Sequence, residues 1–230
     1  MATLVLVRHG RTSANAAGVL AGRAAGVRLD EAGQEQARRV GRRLSGVTLA
    51  AAVTSPLERC RQTARLALAS QPRALAPLVE SGLTECDYGS WQGRPLKELA
   101  RERLWRTVQA TPSAVAFPEG ETMAAMQARA VAAVRRHDVA VTGNHGPGTA
   151  WLAVSHGDVI KAILADALGL HLDLFQRIHV DPGSISLVRY SAGAPPTVLA
   201  VNTHEGDLYW LTRQHRRRRG AVVGGGAGPG

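Results

Sequence analysis

No stretch of this sequence stays apolar for the roughly 20 residues that a membrane-spanning helix requires. Only two cysteines, Cys60 and Cys86, occur in 230 residues, too few for a disulfide framework. Aromatic residues are scarce, at 4% of the chain. The first residues lead straight into an apolar run, without the charged, apolar and small-residue regions of a secretory signal. Together these absences speak against membrane and disulfide-scaffold classes and lead to the expectation of a cytoplasmic protein. Acidic residues are also in the minority, 18 against 28 Lys and Arg, for a formal net charge of +10. Half of that excess sits in the tail "LTRQHRRRRGAVVGGGAGPG", which has five arginines and no acid. The remaining +5 is still suited to anionic substrates. We expect the tail, residues 211–230, to be a disordered extension rather than a nucleic-acid-binding arm.

What the chain does have is a hydrophobic share of 45% with 20% charged residues, ordinary for a folded domain and incompatible with wholesale disorder. Apolar runs alternate with helical patterns. "ATLVLVR", "LAAAVTS" and "AWLAVS" are short, β-rich runs of the kind buried on both faces of a sheet. "DEAGQEQARRVGRRLSG" from Asp30 predicts a helix with an acidic first turn and late arginines. Pro56 is expected to open the next helix, "PLERCRQTARLALAS". Further helices are predicted over about Leu96–Val108, in "ETMAAMQARAVAAVRRHDVAV" and in "GDVIKAILADALGL". "SISLVRY" and "PTVLAVN" are expected strands. This alternation predicts an α/β fold: three layers, with a mostly parallel central sheet flanked by helices. A single domain over residues 1–210 is expected, with a helical cap insertion around 94–125.

Three of these strands end alike. "LVLV" hands over to Arg8-His9-Gly10, "AAVTS" leads one turn later to Arg59, and "WLAVS" leads to His156-Gly157 at a helix start. Open α/β sheets bind ligands at this rim. Any one junction alone would pass for a basic residue reaching water. Two histidines, two arginines and a helix N-terminus at one rim suit a tetrahedral dianion.

The motifs "LVRHGRTSAN", "TSPLERCRQTA", "LTECDYGSWQG" and "VSHGDVI", in this order, resemble the histidine phosphatase superfamily and its phosphoglycerate-mutase-like branch. The resemblance covers about residues 3 to 205. It implies that His9 is the nucleophile, becoming a phosphohistidine. That role requires a neutral ring whose other N–H is donated, the expected acceptor being a nearby backbone carbonyl. It further implies that Arg8, Arg59 and His156 hold the phosphoryl oxygens and that Glu85 is the proton donor and then the base. Asn15 and Tyr88 match family residues near the substrate. Gly10 is expected to leave room for the oxygens, and Gly22 and Gly157 to border the substrate. No metal is implied.

Within that family the sequence favours hydrolysis. Ala21, before Gly22, stands where the mutases carry a substrate-contacting threonine. The paired arginine of the mutases is missing, since Arg101, Arg103 and Arg106 are scattered through "LARERLWR". The expected reaction is therefore metal-independent hydrolysis of a small anionic phosphomonoester, releasing inorganic phosphate without a cofactor. The alternative is a mutase, with 2,3-bisphosphoglycerate as its cofactor. A third reading, a non-catalytic phosphate or nucleic-acid binder, leaves Glu85 without a purpose. A homodimer is among the assemblies such relatives form. Trp91, Leu104, Trp105 and Phe117 are expected to cap the site, Arg11 and Arg23 to be solvated loop residues, and Asp158 to settle a helix turn. The remaining histidines lack metal-ligand spacing. Cys60 and Cys86 directly follow Arg59 and Glu85, which raises a redox brake as a hypothesis.

Overall fold

The computed structural model describes residues 2–191, 193–208 and 211. The Arg-rich tail expected beyond Leu211 lies outside the described residues. Six strands form one sheet: β1 (Thr3–Arg8), β2 (Leu49–Thr54), β3 (Leu78–Val79), β4 (Ala150–Ser155), β5 (Ile185–Ser191) and β6 (Ala194–Thr203). Their order across the sheet is β3-β2-β4-β1-β5-β6. The pairs β2/β3, β2/β4 and β1/β4 are parallel, whereas β1/β5 and β5/β6 are antiparallel. β6 accommodates Pro195 and Pro196 because it is an edge strand, where a missing N–H costs little.

Side-chain alternation along the strands builds the two cores. Val5 and Val7 of β1 join Leu152 and Val154 of β4 in one apolar cluster with α2 (Glu31–Leu44) and α3 (Glu58–Leu68). Leu4 and Leu6 face the other way, with Trp151 and Ala153, toward α6 (Met123–His145) and α7 (Gly157–Ala167). Burial on both faces explains why these strands read as continuous apolar runs. The result is the three-layer arrangement expected.

Asp30 caps α2 by accepting from the Gly33 N–H at 2.7 Å, and Thr122 caps α6 by accepting from Ala125 N at 3.0 Å. Two helical expectations shift. The helix after β2 begins at Glu58, not at Pro56, because Leu57 is still extended (φ −70°, ψ 140°) and serves as its N-cap. The segment expected as one helix over Leu96–Val108 is two, α4 (Leu96–Leu99) and α5 (Arg103–Ala110). Glu102 is extended between them, and Arg94 donates to its carboxylate at 2.8 Å. The two-residue β3 was not anticipated. Among the described residues no helix is long and apolar enough to cross a membrane.

Candidate active site

Register places the three strand ends side by side. Arg8 pairs with Ser155 and Thr54 with Val154, and the backbone continues the pairing past the strands. The His9 N–H donates to Ser155 O at 3.0 Å and the Ser55 N–H to Val154 O at 2.9 Å. Residues that follow β1, β2 and β4 therefore arrive at one point, where a cavity of about 370 Å³ opens. Arg8, His9, Asn15, Gly22, Arg59, Glu85, Tyr88 and Gly157 line it.

His9 is almost wholly buried, and its Nδ1 lies 2.8 Å from its neighbour's carbonyl, Gly10 O. A backbone carbonyl can only accept, so Nδ1 carries the proton and Nε2 keeps its lone pair. Arg59 Nε donates to that Nε2 at 3.2 Å. Burial, then the charges of Arg59 and Arg8, hold the His9 pKa well below the ordinary imidazole range, against a smaller opposing effect of the Gly10 carbonyl. The ring is neutral.

Arg59 is fixed from two further sides. Its Nη2 donates to Gly22 O at 2.7 Å and to His156 Nδ1 at 3.2 Å. Gly22 turns its carbonyl toward Arg59 at φ +52°, a conformation that favours glycine. The Nε2 of His156 then donates to Ser55 Oγ at 2.7 Å. His156 is fully buried, with its ring centroid 5.3 Å from that of His9, and it does not line the cavity. It meets the site through Arg59. Arg8 reaches the cavity between Val180 O, to which Nη1 donates at 2.6 Å, and the start of α7. A Cβ on Gly157 would lie 3.3 Å from the Arg8 guanidinium, so glycine leaves room for it there. Arg8 Nε and Arg59 Nη1 are buried and have no hydrogen-bond partner among the described residues.

Gly10 serves a different neighbour from the one expected. It does not line the cavity, and a Cβ on it would fall 2.3 Å from Gly33 O. Its missing side chain makes room for the first turn of α2, not for ligand oxygens.

Glu85 approaches from the opposite wall. Its Oε1 accepts from Cys86 N at 3.0 Å, and Oε2 lies 3.7 Å from His156 Nδ1. Burial and the nearby Asp158 carboxylate raise its pKa to about 7, against the lowering effect of Arg59. The loop that carries it is tied down by groups invisible to the motif reading. Arg129 of α6 donates to Gly82 O, Thr84 O and Glu85 O at 2.8, 2.7 and 3.1 Å. Arg23 is not a solvated loop residue: it donates to Glu85 O at 2.8 Å and to Asp87 and Glu121. Glu121 accepts from Arg23, Arg129 and the Asp87 N–H. Sequence reasoning missed Arg129 and Glu121, which belong to no quoted motif, and gave no role to Ser55, which lies inside "TSPLERCRQTA".

Asp158 does more than settle a helix turn. It lines the cavity and accepts from the Tyr88 hydroxyl at 2.8 Å, joining the Glu85 loop to α7. Asn15 is exposed at the rim. Its Oδ1 accepts from Thr12 in a capping box, which leaves the amide NH₂ as the donor available to a ligand. Of the expected cap, only Leu96 reaches the cavity. Trp91 and Phe117 are buried, in contact with each other and, respectively, with Trp105 and Tyr88. They support the wall from behind.

Both cysteines are fully buried. Burial pushes the Cys60 thiol up to about 12 and Cys86 higher still. That argues against a redox brake, because the reactive thiolate is suppressed. His137 pairs with Glu80, His171 with Asp173, and His179 and His204 with Asp181.

Residues 4–203 match the model of the histidine phosphatase superfamily (branch 1). The bifunctional protein Rv2228c of Mycobacterium tuberculosis is 33% identical over 214 residues, covering 86% of this chain and 53% of that protein. The chain thus spans about half the length of the curated relatives it matches at this level. A Photorhabdus laumondii protein named "Probable phosphoglycerate mutase GpmB" is 30% identical, over 83% of this chain and 86% of its own. Among solved structures, the alpha-ribazole phosphatase of Shigella flexneri superposes with a TM-score of 0.75 at 28% identity, covering 88% and 96% of the two chains.

Proposed function

This chain belongs to the histidine phosphatase superfamily, and from that premise we propose that it hydrolyses small-molecule phosphomonoesters through a phosphohistidine on His9. The observation that carries the reading is two buried guanidinium nitrogens with no partner among the described residues, Arg8 Nε and Arg59 Nη1, beside an imidazole whose Nε2 holds a lone pair. A buried donor left unpaired costs about 1–3 kcal/mol. A phosphoryl group in the cavity would satisfy both.

In the first step, His9 Nε2 attacks phosphorus and the bond to the ester oxygen breaks. Glu85, protonated, gives its proton to that oxygen as the alcohol leaves. Arg8, Arg59 with His156 behind it, and the N–H groups at the start of α7 face the non-bridging oxygens, so catalysis rests on positioning and charge. In the second step, Glu85, now a carboxylate, takes a proton from water. The water oxygen bonds to phosphorus and the N–P bond breaks, releasing inorganic phosphate. His9 is again neutral and Glu85 again protonated. A pKa of about 7 lets one carboxyl serve as acid and then base near neutral pH. Residues 1–210 would form the catalytic domain.

Phosphate release from a panel of phosphomonoesters, in EDTA, compares wild type with His9→Ala. Release that survives EDTA and disappears in the variant is the expected result. A panel without release in wild type overturns net hydrolysis. Isomerisation of 3-phosphoglycerate that depends on 2,3-bisphosphoglycerate, without release, would instead establish the mutase reading, which the name of the Photorhabdus relative favours.

A further inference from the structure

The cavity is larger than its phosphoryl end, and its outer wall lies where the alcohol of a bound ester would sit. We propose that this wall selects esters of uncharged alcohols and discriminates against substrates that carry a second anionic group. The inference rests on the phosphatase reading above and concerns the alcohol side of the same cavity.

The argument is one of charge pairing. Two cations on the cavity wall, Arg8 and Arg59, have no carboxylate partner among the described residues, and both belong to the phosphoryl end. The outer wall has two further basic groups, and each is already engaged. Lys161 Nζ lies 3.5 Å from Asp158 Oδ1, donates to Gln176 Oε1 at 2.5 Å and sits 4.3 Å from the centroid of the Phe175 ring. His179 Nε2 lies 2.8 Å from Asp181 Oδ1. Hydrogen bonds from Asn202, His179 and His204 keep Asp181 ionised, with a pKa lowered to about 2. The His179–Asp181 pair is therefore neutral or negative, whichever form the imidazole takes.

With Glu85 protonated and Lys161 offset by Asp158, the wall sums to at most the two positive charges of Arg8 and Arg59, which one phosphoryl dianion neutralises. A carboxylate or second phosphate on the alcohol would find no unpaired cation and would face Asp158. Like charges brought together in a partly desolvated site select against the wrong ligand. Between the charged pairs the wall is apolar, formed by Val19, Leu20, Leu96, Ile178 and Val180. An uncharged alcohol can bury its carbon skeleton there without displacing the bonds that hold Gln176, whose Oε1 accepts from Lys161 and whose Nε2 donates to Val108 O at 3.3 Å.

The test compares glycerol 3-phosphate with 3-phosphoglycerate, which differ by a hydroxymethyl group in place of a carboxylate. Wild type should favour glycerol 3-phosphate in kcat/KM by about tenfold or more. Asp158→Asn keeps an acceptor for the Tyr88 hydroxyl and frees the Lys161 charge. It should move the ratio toward 3-phosphoglycerate by about tenfold. Lys161→Met, which leaves Asp158 uncompensated, should move it the other way. Because the readout is a ratio within one protein, effects on the chemical step shared by both esters cancel. An enzyme that releases phosphate from an aryl ester yet prefers 3-phosphoglycerate overturns this proposal and keeps the phosphatase reading. A ratio unmoved in both variants also overturns it. Release from none of the esters overturns the phosphatase reading, and this proposal falls with it.

Discussion

Replacing Glu85 by Gln should make the protein more stable at pH 8 while removing its activity. The carboxyl is nearly buried, and burial with the Asp158 charge raises its pKa from 4.5 to about 7. A carboxyl whose folded pKa lies above its unfolded value favours the folded state at low pH. That advantage is lost as pH rises between the two values. At about 1.4 kcal/mol per pH unit, the gap corresponds to roughly 3 kcal/mol against the native state at pH 8. Gln has nearly the same shape and no charge to bury, so Glu85→Gln should recover about 3 kcal/mol at pH 8. At pH 5, where Glu85 is protonated in the native state, the gain should fall below about 1 kcal/mol. His9 and His156, both held neutral by burial and by Arg59, destabilise the fold as pH falls below the ordinary imidazole value. They do so in both proteins and drop out of the difference. Urea unfolding of the two proteins at pH 5 and pH 8 measures the effect. The corresponding rise in melting temperature at pH 8 is about 6–12 °C for a domain of this size. A Gln variant no more stable than wild type at pH 8 would refute the reasoning, because Glu85 would then not be an energetically costly carboxylate.

Two other outcomes follow from the surroundings of the site. Arg129→Met removes the donors that hold the carbonyls of Gly82, Thr84 and Glu85 and leaves Glu121 with one cation fewer. It should cost about 3–5 kcal/mol of stability and lower kcat at least about tenfold by loosening Glu85. Arg129→Lys should restore only part of this, and a Met variant with wild-type kcat in folded protein contradicts the positioning role. Cys60, with its thiol at about 12 and no exposure, should react with a thiol reagent at pH 8 at least about a thousandfold more slowly in native than in unfolded protein. Modification at comparable rates would show that the site opens readily.

The parts of the molecule legible in the sequence are those whose physics is local. β1, β2 and β4 stand out because strands buried on both faces leave unbroken apolar runs, and the positions that end them were placed at one rim. The helix from Asp30 follows from a side chain that caps its own backbone, whereas the helix expected from Glu121 begins at Met123, after the Thr122 cap. The break between α4 and α5 carries no glycine or proline, and Glu102 leaves the helix while its side chain pairs with Arg94. Arg129, Glu121 and Ser55 were invisible for a different reason. The contacts that bear on the site, Arg129 with Glu121 and with the Glu85 carbonyl, and Ser55 with His156, span 8 to 101 residues, and nothing near these side chains marks them. Gly10 shows the limit most clearly. The resemblance implies that its missing side chain leaves room for ligand oxygens, but the neighbour that excludes a side chain is the Gly33 carbonyl, which only the folded chain brings close.

The position of β1 within the sheet also has a consequence for biosynthesis. β1 leaves the ribosome before its neighbours in the sheet, β4 and β5. Val7 pairs with Val154 and Ile185, so the strand that presents His9 waits for about 180 further residues before both its edges are covered. At about 5–20 residues per second this is an interval of roughly ten to forty seconds. Throughout it, an apolar strand keeps at least one open edge, the kind of segment on which chaperones and aggregation both act. Because Ser55, His156 and the Val180 carbonyl arrive on later segments, a nascent chain cannot assemble the phosphoryl cradle early. Competence and complete folding should therefore appear together.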